Sequence, residues 1–289
     1  YEEALISLDK ALEFKLNDDL SDLYYVWEWR GMTFNKLGRY EEALISLDKA
    51  LEFKLNDDFY HAWINRGIAL FNLGRNEEAI NSFNEALKVK PDSYYPWNWY
   101  GYVLNELGRD EDAITSYEQV LKLKPDDDYA WFGKGQALQK LGRNEEAIAA
   151  YDKALEFKPD YHEAWYNRGI ALGKLGRNED AITSHNKALE IQPDYQDAWN
   201  NRGLVLRKLG RYEEEIAAYD KALSIQPNYH LAWYNKACCY ALQGNIEQAL
   251  ENLQQAINLS HEEVREMVET DSDFDNIRED ERFQALIQG

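Results

Sequence analysis

The sequence predicts an all-α solenoid of antiparallel helix pairs, and three observations carry that expectation. Trp27, Trp63, Trp97, Trp131, Trp165, Trp199 and Trp233 stand 34 residues apart after a first step of 36. Glycine recurs with them, at Gly38, Gly74, Gly108, Gly142, Gly176, Gly210 and Gly244. Between these marks apolar residues fall at i, i+4 and i+7, as in Trp165, Gly169 and Leu172, which is the spacing of one helical face. The 289 residues hold about 8.5 such units, so the chain is an array and not a two-domain globule.

In order along the chain, residues 1–23 form a half repeat and linker. Tyr1 to Asp19 is identical to Tyr40 to Asp58, so the chain opens on a second helix without its first, either because the native chain continues upstream or because it was cut there. First helices are expected over 24–37, 60–73, 94–107, 128–141, 162–175, 196–209 and 230–243. With their second helices they make seven repeats over residues 24–261. Gly176 and its six equivalents close the first helices where a positive φ is cheap, and Asn178 is placed to cap the second. A further glycine inside the first helix (Gly31, Gly67, Gly101, Gly135, Gly169, Gly203) costs helix propensity unless close helix contact requires it, and Ala237 replaces it in the last unit. Pro91, Pro125, Pro159, Pro193 and Pro227 end the second helices. Leu16 and Leu55 stand where later units have Pro, and longer linkers follow them, so the first two junctions are expected to be loose. At the far end His261 replaces Pro and Met267 replaces Trp. Residues 262–289 therefore read as a polar helical cap, with an Asp-rich turn over Thr270 to Asn276 and a short helix over Glu279 to Gln288.

This pattern of Trp at position 4, Gly at 8 and 15, Ala at 20 and 27 and Pro at 32 resembles the tetratricopeptide repeat family over nearly the whole chain. The resemblance implies a right-handed superhelical solenoid whose first helices line a concave groove that receives a partner peptide. Positions 2, 5, 6, 9, 12 and 13 should then face inward. They supply Tyr25, Trp29, Met32, His61, Ile64, Phe71, Tyr95, Trp99, Tyr102, Tyr129, Phe132, Tyr166 and Tyr234, an aromatic lining. Position 6 also carries Asn65, Asn167, Asn201 and Asn235, whose amides both donate and accept and so suit a peptide main chain. Trp29, Trp99 and Gly133 interrupt that ladder. Co-chaperone members of the family hold a carboxylate with Lys and Asn at positions 5 and 9 and Lys and Arg at 2 and 6; these positions do not match, so a carboxylate-clamp chaperone ligand is not expected.

Composition excludes several classes. With 45% apolar and 29% charged residues the chain can build a buried core, and disorder is not expected. A formal charge of −21 disfavours nucleic acid and anionic membranes. No run of 18 apolar residues spans a bilayer, and a reducing, cytoplasmic setting fits two adjacent cysteines, Cys238 and Cys239, that frame neither a disulfide scaffold nor a metal site. No catalytic group, cofactor or metal is expected. His61, His162 and His230 mark the starts of first helices, His185 fills a buried aromatic position, and paired acids such as Glu77-Glu78 and Glu145-Glu146 complement helix dipoles. Glu215 occupies an Ala position and must reach solvent or a partner such as Arg202. The basic residues at position 7 (Arg30, Arg66, Lys134, Arg168, Arg202, Lys236) read as partners of nearby acids. The expected function is thus a non-enzymatic scaffold that binds an extended protein segment. The second expectation is the regulatory array of a larger bacterial effector, such as a peptidase, kinase or signalling ATPase.

Overall fold

A computed structural model describes residues 1–13, 20–53 and 59–288, and among these every regular element is helical. Leu16 and Leu55, from which loose junctions are expected, lie outside the described residues. The chain divides into two compact units, residues 1–143 and 144–289.

The first unit holds α1 (Glu2–Glu13), α2 (Leu20–Lys36), α3 (Tyr40–Glu52), α4 (Tyr60–Asn72), α5 (Asn76–Val89), α6 (Tyr94–Glu106), α7 (Asp110–Leu123) and α8 (Asp128–Lys140). The second holds α9 (Asn144–Phe157), α10 (His162–Lys174), α11 (Asn178–Ile191), α12 (Gln196–Lys208), α13 (Tyr212–Ile225), α14 (His230–Leu242) and α15 (Ile246–Leu259). It ends with α16 (His261–Thr270), a 3₁₀ segment (Ser272–Ile277) and α17 (Glu281–Gln288). Consecutive helices pack as pairs: α2 on α3, α4 on α5 and α6 on α7, then α10 on α11, α12 on α13 and α14 on α15. Each first helix begins and ends within a residue or so of its expected bounds, except α2, which starts four residues early.

The turn between paired helices repeats one geometry. Gly176 has φ +74°, with the other six turn glycines between +68° and +77°. In that conformation the Arg177 N–H reaches back to Leu172 O at 3.0 Å and closes α10. The same step places Arg177, not Asn178, at the cap of α11, and Asn178 is already helical. The expected Asn cap is therefore replaced: the Arg177 guanidinium grips Asp180 in the first turn at 2.7 Å, as Arg75 grips Glu78 and Arg211 grips Glu214. Those arginines hold the Glu78 and Glu214 carboxyls below their ordinary range.

Packing explains the inner glycine. A Cβ on Gly169 would lie 2.6 Å from His185 Cε1, one on Gly67 2.5 Å from Phe83, and one on Gly203 2.4 Å from Tyr219. In each case the large side chain at position 24 of the second helix presses onto the first-helix backbone, and only Gly leaves room. The alanines at positions 20 and 27, such as Ala79, Ala86, Ala181 and Ala188, are fully buried between helices. Glu215, in the Ala series, is also fully buried. Its partner is not Arg202 but Arg207, whose Nε lies 3.2 Å away, because Arg202 turns to Glu214.

Position 7 is structural. Arg168 donates from Nε to Asp152 at 2.6 Å and from Nη1 to Ser184 Oγ at 2.7 Å, while its guanidinium lies 5.7 Å from the Trp165 ring centre. Arg30 and Arg66 repeat the arrangement with Asp9 and Asp48. The register tryptophans are half-buried rather than enclosed, and the Trp165 indole N–H donates to Pro159 O at 2.9 Å. Pro at the end of one unit is thereby tied to Trp at the start of the next.

Candidate functional site

In the first unit, the first helices α2, α4, α6 and α8 carry the exposed aromatic residues. Trp29 is 56% exposed, Tyr95 45% and Tyr129 40%, values that leave a large part of each residue open to water. Trp29, His61, Asn65, Tyr95 and Trp99 border a cleft of about 860 Å³. A second cleft, of about 440 Å³, continues from Tyr95 and Trp99 to Tyr102 and Tyr129. The rings support one another edge to face, with centroids 5.3 Å apart for Phe71 and Tyr102 and 5.9 Å for Trp99 and Tyr102. Asn65 donates from Nδ2 to His61 O of its own helix at 2.8 Å, which leaves the amide oxygen as the group a ligand N–H would meet.

Trp99 departs from the expectation that both position-6 indoles are open. It stacks on Phe83 at 6.3 Å with the planes 13° apart and is half-buried, because a neighbouring second helix supplies an aromatic surface that Trp29 lacks. Phe132 is also a correction: it is 8% exposed and belongs to the packing of α8. Tyr60 and Tyr94, at position 1, line the first cleft although position 1 is not among the expected inward positions. Their signal is present in the sequence, since Tyr24, Tyr60 and Tyr94 put an aromatic at position 1 where later units have Asp128, His162, Gln196 and His230.

The second unit uses the same positions differently. Asn167 donates to Glu163 O at 2.8 Å. Asn201 donates to both Asp197 O and the Tyr166 hydroxyl at 2.9 Å, and Tyr166 lies 4.8 Å, centroid to centroid, from Tyr195. Burial pushes the Tyr166 phenol up to about 12. Tyr234 and Asn235 are 3% and 9% exposed, so neither presents an open face. Tyr234 is covered by the C-terminal segment, donating to Asp271 at 2.6 Å and packing on Phe274, while Asn235 turns to α12 and donates to Asn200 at 3.0 Å.

The remaining chemistry-bearing groups are held in packing roles. His185 is fully buried beside Gly169. Cys238 and Cys239 are buried, and burial pushes the Cys239 thiol up to about 12 and the Cys238 thiol far above its ordinary value, so neither is a thiolate near neutral pH. Cys238, Asp271 and Asp273 bring ligand-type atoms within 4.8 Å of one another. Asp273 is paired with Arg207, and Asp271 accepts from Tyr234 and Cys238, which makes the cluster a hydrogen-bonded one. No helix among the described residues is long and apolar enough to cross a membrane.

Comparison with known proteins agrees with this architecture. The sequence matches tetratricopeptide repeat profiles over residues 24–57, 60–93, 166–230 and 218–251, and TPR repeat profiles over 101–142 and 135–176. No curated protein matches the sequence. Among solved structures, MamA is 25% identical with a TM-score of 0.54 over 57% of this chain and 96% of that one. YrrB, described as a TPR protein with an unusual peptide-binding site, is 23% identical with a TM-score of 0.55 over 66% and 98%. A tetratricopeptide repeat protein from Parabacteroides merdae has a TM-score of 0.67 at 19% identity, covering 86% of this chain and 98% of its own. With family matches from residue 24 to residue 251 and helix pairs that repeat their turn and packing chemistry, this chain belongs to the tetratricopeptide repeat family.

Proposed function

We propose that the protein is a non-enzymatic interaction scaffold that holds an extended segment of a partner protein against the first helices of its first unit. The observation that carries this reading is the run of open aromatic faces at Trp29, Tyr95 and Tyr129, bordering clefts wide enough for a peptide with side chains. Monomeric proteins rarely leave contiguous apolar surface to water without a use for it. Asn65 adds a main-chain reader to an otherwise apolar lining. The likeness to YrrB, a protein described as having a peptide-binding site, supports the same class of partner.

The test is selection of peptides from a random library on the intact chain, followed by calorimetry with the selected sequences. Trp29→Ala and Tyr95→Ala are expected to weaken binding, whereas Asn167→Ala, in the second unit, is expected to leave it unchanged. Selected peptides that ignore both aromatic substitutions would remove the first-unit face from the reading.

A further inference from the structure

The C-terminal segment does more than cover the last helix pair. Arg207, at position 12 of α12, joins four neighbours: Glu215 of α13 at 3.2 Å, Tyr219 Oη at 3.4 Å, Asn235 of α14 at 3.3 Å, and Asp273 of the 3₁₀ segment. Two residues before Asp273, Asp271 accepts from Tyr234 Oη at 2.6 Å and from Cys238 Sγ at 3.6 Å. Covering the end of the array requires none of these bonds. Val264, Val268, Phe274, Ile277 and Phe283 form one buried cluster with the last pair and meet that need with apolar area. The polar contacts instead run across α14 to α12 and take in Asn235, whose counterparts Trp29, Asn65 and Trp99 border the open cleft of the first unit. Glu215, which breaks the alanine series, serves this arrangement by holding Arg207 in place from beneath.

We propose that Asp271-Ser272-Asp273 is an internal ligand, seated in a docking site on α12 and α14 for an acidic protein segment that carries two carboxylates two residues apart. Charge complementarity selects the partner. In a chain of net charge −21, Arg207, Lys174 and Lys208 meet at one cleft of about 530 Å³ that opens beside the seated segment. Lys174 is exposed there. The chain's own segment displays the chemistry that fits: one carboxylate on the guanidinium of Arg207 and one on the hydroxyl of Tyr234. Phe274 and Ile277 are buried and keep the turn anchored, so exchange is confined to the two partly exposed carboxylates. The site uses none of the first unit's aromatic residues, and its failure leaves that reading as it stands.

The probe is a synthetic peptide with the sequence of residues 268–276, titrated calorimetrically into the intact chain. The Asp273→Asn variant frees Arg207 while Glu215 still neutralises it, and is expected to bind the peptide about tenfold more tightly than the unchanged chain, because the competent state no longer has to be won from the internal ligand. A peptide with Asn in place of Asp271 and Asp273 is expected not to bind, and Tyr234→Phe in the Asp273→Asn background is expected to weaken binding. If Asp273→Asn melts without cooperativity, Asp271→Asn, which frees Tyr234 instead, must show the tighter binding. No binding to either protein, equal affinity for both, or indifference to the peptide's carboxylates overturns the proposal.

Discussion

At position 24 of the repeats a large side chain packs onto its partner helix, and His185 is the member of that series whose charge can change below neutral pH. Phe83, Tyr117, Tyr151 and Tyr219 hold the equivalent places. His185 is fully buried and neither ring nitrogen has a hydrogen-bond partner. Burial, reinforced by the Arg202 charge, holds its pKa down at about 4 against an ordinary 6.5. Between those values the unfolded chain binds a proton that the folded chain refuses, so this residue's contribution to stability is complete above about pH 6.5 and is lost progressively toward pH 4. His185→Phe, which installs the residue type that Phe83 already supplies in an earlier unit, is expected to flatten the pH dependence of the unfolding midpoint in that window. An unaltered profile would show that another group sets it. Two glycines of α10 give a pair of substitutions with opposite signs. Gly169→Ala places a Cβ against the His185 ring and is expected to cost about 1–3 kcal/mol by overpacking. Gly173→Ala meets nothing closer than Val205 at 3.5 Å and is expected to gain about 0.5–1 kcal/mol from helix propensity. Chemical denaturation of the two variants checks both.

Between elements, the tryptophans divide by what covers them. Trp165 ties α10 to the end of the preceding unit through Pro159 and carries Arg168 on its ring, so its truncation removes packing, a hydrogen bond and a cation contact together. Because the ring is half-buried, Trp165→Ala is expected near the low end of the range for such truncations, about 3 kcal/mol. Trp29 is the complementary case. Being mostly exposed, it is expected to shift stability by no more than about 0.5 kcal/mol on truncation, yet to cost about 2 kcal/mol of ligand affinity if it anchors a partner. Trp99 stands between the two, since its stacking on Phe83 ties it to the fold as well as to the cleft. Thermal melting of Trp29→Ala and Trp165→Ala separates the classes, and equal losses would mean that position 6 is packing throughout.

Across the whole molecule, stability is a sum of unit and neighbour contributions, so it should fall where neighbours are fewest. The identical helices α1 and α3 make the comparison internal. Ala43, Leu47 and Ala50 of α3 are fully buried under α2. Their counterparts Ala4, Leu8 and Ala11 in α1 are exposed or half-buried. In this chain α1 is therefore expected to exchange its amide hydrogens well before α9, whose Ala147 and Ala154 are enclosed. Equal protection of Glu2–Glu13 and Asn144–Phe157 would mean that local helix strength, and not stacking, controls opening.

Whatever short-range physics controls was legible in the order of the residues. A 3.6-residue apolar period, a glycine obliged to take positive φ and a proline beyond five of the second helices were enough to place the helices and the turns, because each acts within one or two turns of chain. That order also identified the first-helix positions from which a face could be built. Which of those positions meet water was set by packing between helices far apart in the chain. Phe132 and Tyr234 are aromatic like Tyr129 and Tyr166, but exposure depends on what a neighbouring element lays over a ring, and in the case of Tyr234 that element comes from beyond the last repeat. The Arg207 pair with Asp273 joins residues 66 apart in sequence, a separation at which no local pattern survives. Burial and long-range charge pairing are properties of the assembled array, so they had to be read from its contacts.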